Sequence, residues 1–69
     1  MNFPQKLKDL RKEKGITQKQ LADILGTTDD SIYSWEHGRS QPSLEMLQSI
    51  ITYFGISADY LFETNGYEN

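Results

Sequence analysis

Four glycines divide this chain into short segments, and their spacing is the feature that most limits the fold. Gly15, Gly26, Gly38 and Gly55 each follow a stretch in which apolar residues recur with helical periodicity. A glycine just past a helix commonly takes the left-handed backbone conformation that ends the helix. The sequence is therefore expected to form a succession of short helices.

Residues suited to the start of a helix stand before each of these segments. They are Pro4, Thr17, Thr27 or Thr28, Ser43 and Ser57. Thr17 and Gln20 also match a capping box, in which a hydroxyl and an amide side chain satisfy free backbone amides reciprocally. Start and stop signals together predict five helices, at residues 4–14, 17–25, 28–37, 43–54 and 57–63.

The apolar residues of the predicted helices fall on one face of each. They are Phe3, Leu7 and Leu10 in the first segment, Leu21, Leu25, Ile32 and Trp35 in the middle, and Leu44, Leu47, Ile50, Ile51 and Phe54 in the fourth. Valine is absent, and no run alternates apolar and polar residues as a strand does. We expect an all-α fold, a compact five-helix bundle at 1–63, followed by a polar and flexible tail at 64–69.

Size and composition exclude several classes of function. With 69 residues, the chain is near the lower limit for a single domain that folds without disulfides or a bound metal. No cysteine and a single histidine leave no thiolate zinc site and no multi-histidine metal site. Glu36 and His37 have no candidate nucleophile at a signature spacing, so we expect neither an enzyme nor a cofactor. No apolar run approaches the roughly 20 residues of a membrane span, and a reducing cytoplasm is the expected location.

The charges are unevenly distributed along the chain. Residues 1–20 contain six basic and two acidic residues, a balance of +4. Residues 21–69 contain one arginine and eight acids, a balance of −7. A chain with this polarity can present a basic face to a polyanion and an acidic face elsewhere.

The segments on either side of Gly26 have the spacing of a helix-turn-helix. Ala22 is small enough to let a second helix cross the first closely, and Gly26 tolerates the left-handed backbone of the turn. Ile32 and Trp35, three residues apart on the second helix, then point into the core. The other interpretation of Trp35 is an exposed aromatic platform for stacking.

The stretch from Leu7 to Phe62 resembles the phage-repressor-like helix-turn-helix family, which includes the lambda repressor, Cro and Xre-type regulators. The resemblance rests on TQKQLA, the GTT turn, SWEHG, the QPS loop and ISADYLF, at the family's spacing. It implies a lambda-repressor-like bundle in which helix 3 enters the major groove and helix 2 lies over the phosphates. The implied function is a bacterial or phage-encoded transcription repressor that binds a near-palindromic operator in double-stranded DNA as a homodimer.

The resemblance also assigns residues to the DNA, position by position. The base-facing residues are Gln18, Thr28, Asp29, Asp30 and Ser34. Thr17 and Lys19 stand at the start of helix 2, where free backbone amides and an ammonium group suit a phosphate. The other expected phosphate contacts are Arg11, Thr27, Ser31, Tyr33, His37, Arg39 and Ser40. For His37 and Arg39, a solvated side chain without a role is the alternative.

Glu36 is expected to pair with Arg11. In the family an acid at this position pairs with an arginine of helix 1, and Arg11 occupies the matching place. Such a pair ties helix 1 to helix 3 and directs the guanidinium towards the DNA backbone. Two unrelated surface charges are the alternative.

Tyr60, Leu61 and Phe62 put three bulky side chains into one helical turn of a small domain. Family members commonly pair through the C-terminal helix. Tyr60 or Phe62 is therefore expected at a dimer contact, with burial inside one protomer as the alternative, and Leu61 in the core.

Asp29 and Asp30 place two negative charges at the start of the helix that is expected to read DNA. Acids in a first turn favour the helix dipole. An ionised aspartate accepts hydrogen bonds but cannot donate them, which favours the amino group of cytosine. We assign base contact or exclusion to Asp29 and capping to Asp30. The acidic half also leaves open an antitoxin or antirepressor-type module that uses this fold to bind a protein partner.

Overall fold

Short helices make up most of the architecture. The structure, a computed structural model, describes residues 3–62. Its helices are α1 (Phe3–Glu13), α2 (Gln18–Leu25), α3 (Asp29–Glu36), α4 (Leu44–Phe54) and α5 (Ala58–Phe62). No residue of this range lies in a β-strand, so the predicted all-α, five-helix fold is confirmed.

Side-chain caps begin the last four helices. Thr17 and Gln20 form the complete capping box of α2, because the Gln20 amide donates to Thr17 Oγ1 over 3.0 Å and the Thr17 amide donates to Gln20 Oε1 over 2.8 Å. The hydroxyls of Thr28, Ser43 and Ser57 accept hydrogen bonds from backbone amides three residues further on. These bonds satisfy amides that have no partner within their own helix.

One core joins all five helices. Its largest fully buried side chains come one from each helix and are Leu7, Leu21, Ile32, Ile50 and Leu61. α2 packs on α3 and α4, and α1 packs on α3 and α5. The two helices around Gly26 are therefore held against the rest of the molecule from both sides.

Leu44 departs from the predicted apolar face of α4. Its side chain is 83% exposed, whereas Leu47 and Ile51 are half-buried and Ile50 is fully buried. Leu44 is the first helical residue after the cap Ser43, at an end of α4 that no other helix covers. Its predicted place in the core was wrong, because helical spacing gives the direction of a side chain but not what lies opposite.

The predicted boundaries differ from the observed ones by at most one residue at each end. α1 begins at Phe3, and α3 begins at Asp29 because Thr28 is its cap rather than its first helical residue. Residue 63, the predicted end of the fifth helix, and the predicted tail at 64–69 lie outside the described residues. Within residues 3–62, every helix is too short or too polar to cross a lipid bilayer.

Candidate nucleic-acid interface

α2 and α3 meet at a tight left-handed turn. Gly26 has a φ angle of 77°, and the amide of Thr27 donates to the carbonyl oxygen of Ala22 over 2.9 Å. The side chain of Ala22 is fully buried, so α3 crosses close to the backbone of α2. The two helices and this turn form a helix-turn-helix whose angle is fixed by the turn and by the core beneath it.

α3 turns one face to the core and the opposite face to solvent. Ile32 is fully buried, and Trp35 and Glu36 are each 7% exposed. The exposed side chains of α3 and of its C-terminal cap are Asp29, Asp30, Tyr33 and His37. The Trp35 ring therefore belongs to the core and is not an exposed stacking platform.

A buried ion pair connects α1 to the end of α3. Arg11 Nε donates to Glu36 Oε2 over 2.7 Å, and Arg11 Nη2 donates to Glu36 Oε1 over 3.1 Å. Arg11 Nη1 donates to the carbonyl oxygen of Ile16 over 2.9 Å, at the joint before α2. The expected pair is present. Arg11 is only 9% exposed, and the donors of its guanidinium group face protein acceptors.

Gln18 joins this network from the first residue of α2. Its Nε2 donates to Glu36 Oε1 over 3.1 Å, and its side chain is half-buried. The amide group is thus oriented with its NH₂ towards Glu36. The sequence gives no signal for this contact, because the two residues are 18 positions apart and neither charge nor periodicity connects them.

Asp29 and Asp30 occupy the first two positions of α3 without protein partners. The cap is Thr28, whose Oγ1 accepts from the Ser31 amide over 3.2 Å and lies 3.1 Å from Ser31 Oγ. Neither aspartate has a hydrogen bond or ion pair within residues 3–62. Both carboxylates remain available in the first turn, and the hydrogen-bonding cap expected of Asp30 is supplied by Thr28 instead.

Tyr33, His37 and Arg39 form a cluster that we call the Tyr33 stack. The rings of Tyr33 and His37 are stacked with centroids 3.9 Å apart, and the guanidinium carbon of Arg39 lies 5.6 Å from the centre of the Tyr33 ring. All three were predicted as separate phosphate contacts. The spacing of four between Tyr33 and His37 is the signal that places them on one side of a helix.

The remaining predicted phosphate contacts lie on either side of α3. The Oγ atoms of Ser34 and Ser40 are 2.6 Å apart, which links α3 to the loop after it. Lys19 Nζ lies 3.2 Å from Asp23 Oδ1 on an exposed stretch of α2. Thr17 and Ser31 take part in the caps described above. Lys19 is thus a solvated cation beside the start of α2.

A separate apolar surface lies on α4 and α5. A groove of about 490 Å³ is lined by Leu44, Leu47, Ile51, Ala58 and Phe62, together with Glu45 and Gln48. Tyr60, on α5, is 46% exposed, with Lys6 Nζ 4.4 Å from its ring centre. The Phe62 ring is half-buried and stacks on Phe3 with centroids 5.9 Å apart. The two predicted contact residues thus differ in burial: Tyr60 is exposed, whereas Phe62 is half-buried and packs on Phe3 of the same protomer.

No metal centre accompanies these features in the described part of the chain. Among residues 3–62, no three side chains of histidine, cysteine, aspartate or glutamate lie together as ligands for an ion.

A family model described as helix-turn-helix matches residues 7–61. The chain is 39% identical over 61 residues to the helix-turn-helix transcriptional activator BcrR of Enterococcus faecalis, covering 88% of this chain and 30% of that protein. It is 34% identical over 61 residues to YonR, an uncharacterised prophage-derived transcriptional regulator of Bacillus subtilis, covering 88% of this chain and 56% of that protein. The chain thus spans between about a third and about half of the length of these curated relatives.

The same architecture occurs in a solved protein–DNA complex. The P22 c2 repressor bound to a synthetic operator has a TM-score of 0.82 to this structure and 26% sequence identity. The similarity covers 88% of this chain and 92% of that chain. The order and packing of the helices are therefore shared over nearly the whole molecule.

Proposed function

The chain belongs to the helix-turn-helix family, and we propose that it is a transcription regulator that binds a specific site in double-stranded DNA and represses by occupying it. One observation carries the proposal: α3 keeps an entire exposed face beside α2, and the free start of α2 lies beside it with Lys19. This is the arrangement in which one helix enters a major groove and the preceding one lies over the backbone. The place of action is a bacterial cytoplasm, with the gene on a chromosome or a phage.

Phosphate contacts supply the attraction in this proposal. The capping box at Thr17 does not use the backbone amides of Gln18 and Lys19, so these amides offer donors to one phosphate, and the Lys19 side chain adds positive charge. Tyr33, His37 and Arg39 offer a second cationic contact at the other end of α3. Contacts of this kind fix the register of the protein on the duplex and carry little sequence information. Arg11 contributes mainly by holding Glu36 and Gln18 in place, since its own donors face protein groups.

Base discrimination is assigned to α3, its cap and the start of α2. The residues proposed to face base edges are Thr28, Asp29, Asp30 and Ser34, together with Gln18. The unpaired carboxylate of Asp29 accepts a hydrogen bond from the cytosine amino group and repels positions that present only acceptors. Two carboxylates without partners beside a polyanion weaken binding to unsuitable sequences.

Two copies of the chain bind together in this proposal. The exposed Leu44 and the groove formed by Leu47, Ile51, Ala58 and Phe62 are apolar surface that a second copy would cover. Phe62 lines this groove although its ring also stacks on Phe3, and Tyr60, which is 46% exposed on the same helix, is the second proposed contact residue. A twofold pair places two reading helices on successive major grooves and requires a near-palindromic site.

Selection of bound duplexes from a random pool, followed by sequencing, tests the proposal. We expect an enriched near-palindrome whose half-sites are about one helical turn apart. Affinity for that duplex should then fall steeply and linearly on a logarithmic scale as salt rises, because phosphate contacts release counterions. An unenriched pool, with no binding to any duplex at low salt, would contradict DNA binding and favour the antitoxin or antirepressor-type module.

The direction of regulation requires a second measurement, because BcrR is described as an activator and P22 c2 as a repressor. A reporter gene with the selected site placed over its promoter should be silenced when the chain is produced. The same site moved upstream of the promoter should leave expression unchanged. Increased expression from the upstream site would indicate activation instead.

A further inference from the structure

The hydrogen bond of His37 decides which of its ring nitrogens carries a proton. Nδ1 lies 2.8 Å from the carbonyl oxygen of Tyr33. Because a carbonyl oxygen only accepts, Nδ1 must be the protonated nitrogen of the neutral ring. Nε2 is left with a lone pair, and it has no partner within residues 3–62 on this exposed side chain.

The neutral imidazole is therefore unsuited to a phosphate. Its free nitrogen accepts hydrogen bonds, and a phosphate oxygen also accepts them, so the two repel. Protonation of Nε2 converts the same atom into a charged donor while the bond from Nδ1 to Tyr33 stays in place. Imidazole changes its charge between about pH 5 and pH 8 in most settings.

The charges around the Tyr33 stack favour a phosphate as the partner of that donor. Arg39 supplies a permanent positive charge 5.6 Å from the centre of the Tyr33 ring, and the same ring stacks on His37. Glu36, the neighbour of His37, turns its carboxylate inward to Arg11. From α1, the uncharged ring of Pro4 lies 3.6 Å from the place where a β-carbon of Gly38 would stand. Within residues 3–62, no carboxylate is paired with the imidazole.

We propose that the Tyr33 stack is a proton-linked phosphate site, in which His37 takes up one proton from solvent when the protein binds the DNA backbone. The inference rests on the proposed DNA binding and makes the affinity depend on pH, which the other proposed contacts do not. One proton is bound at Nε2 in each protomer, and no covalent bond forms or breaks. Since the bound state holds more protons than the free state, affinity rises as pH falls.

Affinity for the selected duplex at fixed salt, measured at about pH 6 and about pH 8, tests this linkage. One proton changes affinity by at most tenfold per pH unit, so we expect about three- to tenfold tighter binding per protomer at the lower pH. In His37→Gln the amide donates a hydrogen bond but does not titrate, and its affinity should be nearly independent of pH. Lys12→Gln, which removes an exposed charge of α1 outside the stack, should keep the pH dependence of the unaltered chain.

The histidine can also be observed directly, because the chain contains only one. The imidazole ring-proton signal in NMR should titrate at a higher pH in the complex than in the free protein, and this needs no variant. Equal midpoints, or the same pH dependence in His37→Gln as in the unaltered chain, would overturn the proton linkage while leaving DNA binding intact. Absence of binding at every pH would overturn both.

Discussion

Arg11 and Glu36, 25 residues apart in the sequence, join α1 to α3 through two roughly parallel hydrogen bonds in a nearly buried position. The pair does more than connect two helices, because Glu36 also holds the Gln18 amide at the start of α2. Three helices thus meet at one carboxylate. The position of α3 relative to the start of α2, the end proposed to face a phosphate, therefore depends on this group.

Arg11→Ala should lower both stability and DNA affinity. Removing one partner of a buried pair leaves the other charge without compensation, which costs about 3–5 kcal/mol in comparable cases. Glu36→Ala should lower stability in the same direction and also release Gln18, because alanine offers no acceptor to the Gln18 amide. Chemical denaturation followed by circular dichroism measures the first effect, and binding to the selected duplex measures the second.

Two controls separate the ion pair from general loss of charge. Lys12→Ala, at the neighbouring exposed position, should change stability by less than about 0.5 kcal/mol. The double variant Arg11→Met with Glu36→Leu should recover much of the lost stability, because apolar residues of similar volume often replace a buried pair without loss. DNA affinity should stay low in the double variant, and its full recovery would show that the network does not position α2.

Asp29→Asn should bind DNA more tightly and with a changed preference at one base pair of each half-site. Removal of a negative charge next to a polyanion favours association, by about three- to tenfold at moderate salt. The new amide both donates and accepts, so adenine becomes acceptable where cytosine was favoured. Repeating the duplex selection with the variant measures both effects.

The matched control for Asp29 is Asp59→Asn, since Asp59 lies in the first turn of α5, away from the reading helix. Both substitutions remove a first-turn charge and should lower stability slightly, by about 0.3–1 kcal/mol. Only the change at Asp29 should alter the selected sequence. An unchanged base preference would leave Asp29 with a structural role alone.

Leu44→Asp should prevent self-association without unfolding the protomer. The side chain is 83% exposed, so the substitution disturbs no core contact, but it puts a charge into the proposed apolar contact. Sedimentation velocity should show a shift from dimer to monomer, and the melting temperature of the monomer should be unchanged. Ile24→Asp is the control, because Ile24 is 47% exposed on α2, outside the groove. Equal effects of the two variants would exclude the groove as the contact.

Gly26→Ala should lower stability through the backbone alone. Gly26 has a φ angle of 77°, and no atom lies within 4 Å of the place where a β-carbon would stand. The cost is therefore conformational, about 1–2 kcal/mol, and Gly26→Asn should cost less because asparagine tolerates left-handed backbone. Denaturant unfolding measures the difference, and a larger loss for asparagine than for alanine would contradict this reason.

The helices of this protein were predictable because their ends are encoded locally. The Thr17 capping box, the caps at Ser43 and Ser57 and the left-handed glycines involve residues at most a few positions apart, so each signal can be found within a short stretch. The core positions Leu7, Leu21, Ile32 and Ile50 follow in the same way from the periodicity of the apolar side chains. The Arg11–Glu36 pair spans a long sequence distance and was anticipated only from the resemblance to a family.

The contacts that were not predicted depend on side-chain conformation and on what stands opposite. Leu44 has the spacing of a core residue but no helix over it. The Gln18 amide finds Glu36 only once α2 and α3 have crossed. His37 and Arg39 were expected to act separately, and their meeting on the Tyr33 ring needs the chain to turn back after Gly38.

The exposed face of α3 has a consequence for redesign. Asp29, Asp30 and Tyr33 contribute nothing to the core, and the carboxylates have no protein partners in residues 3–62. Within this eight-residue helix, the residues that stabilise the fold are therefore different from those proposed to select the DNA sequence. A library randomised at these positions can be searched for new target sequences on one unchanged scaffold, while Ile32, Trp35 and Glu36 are kept fixed.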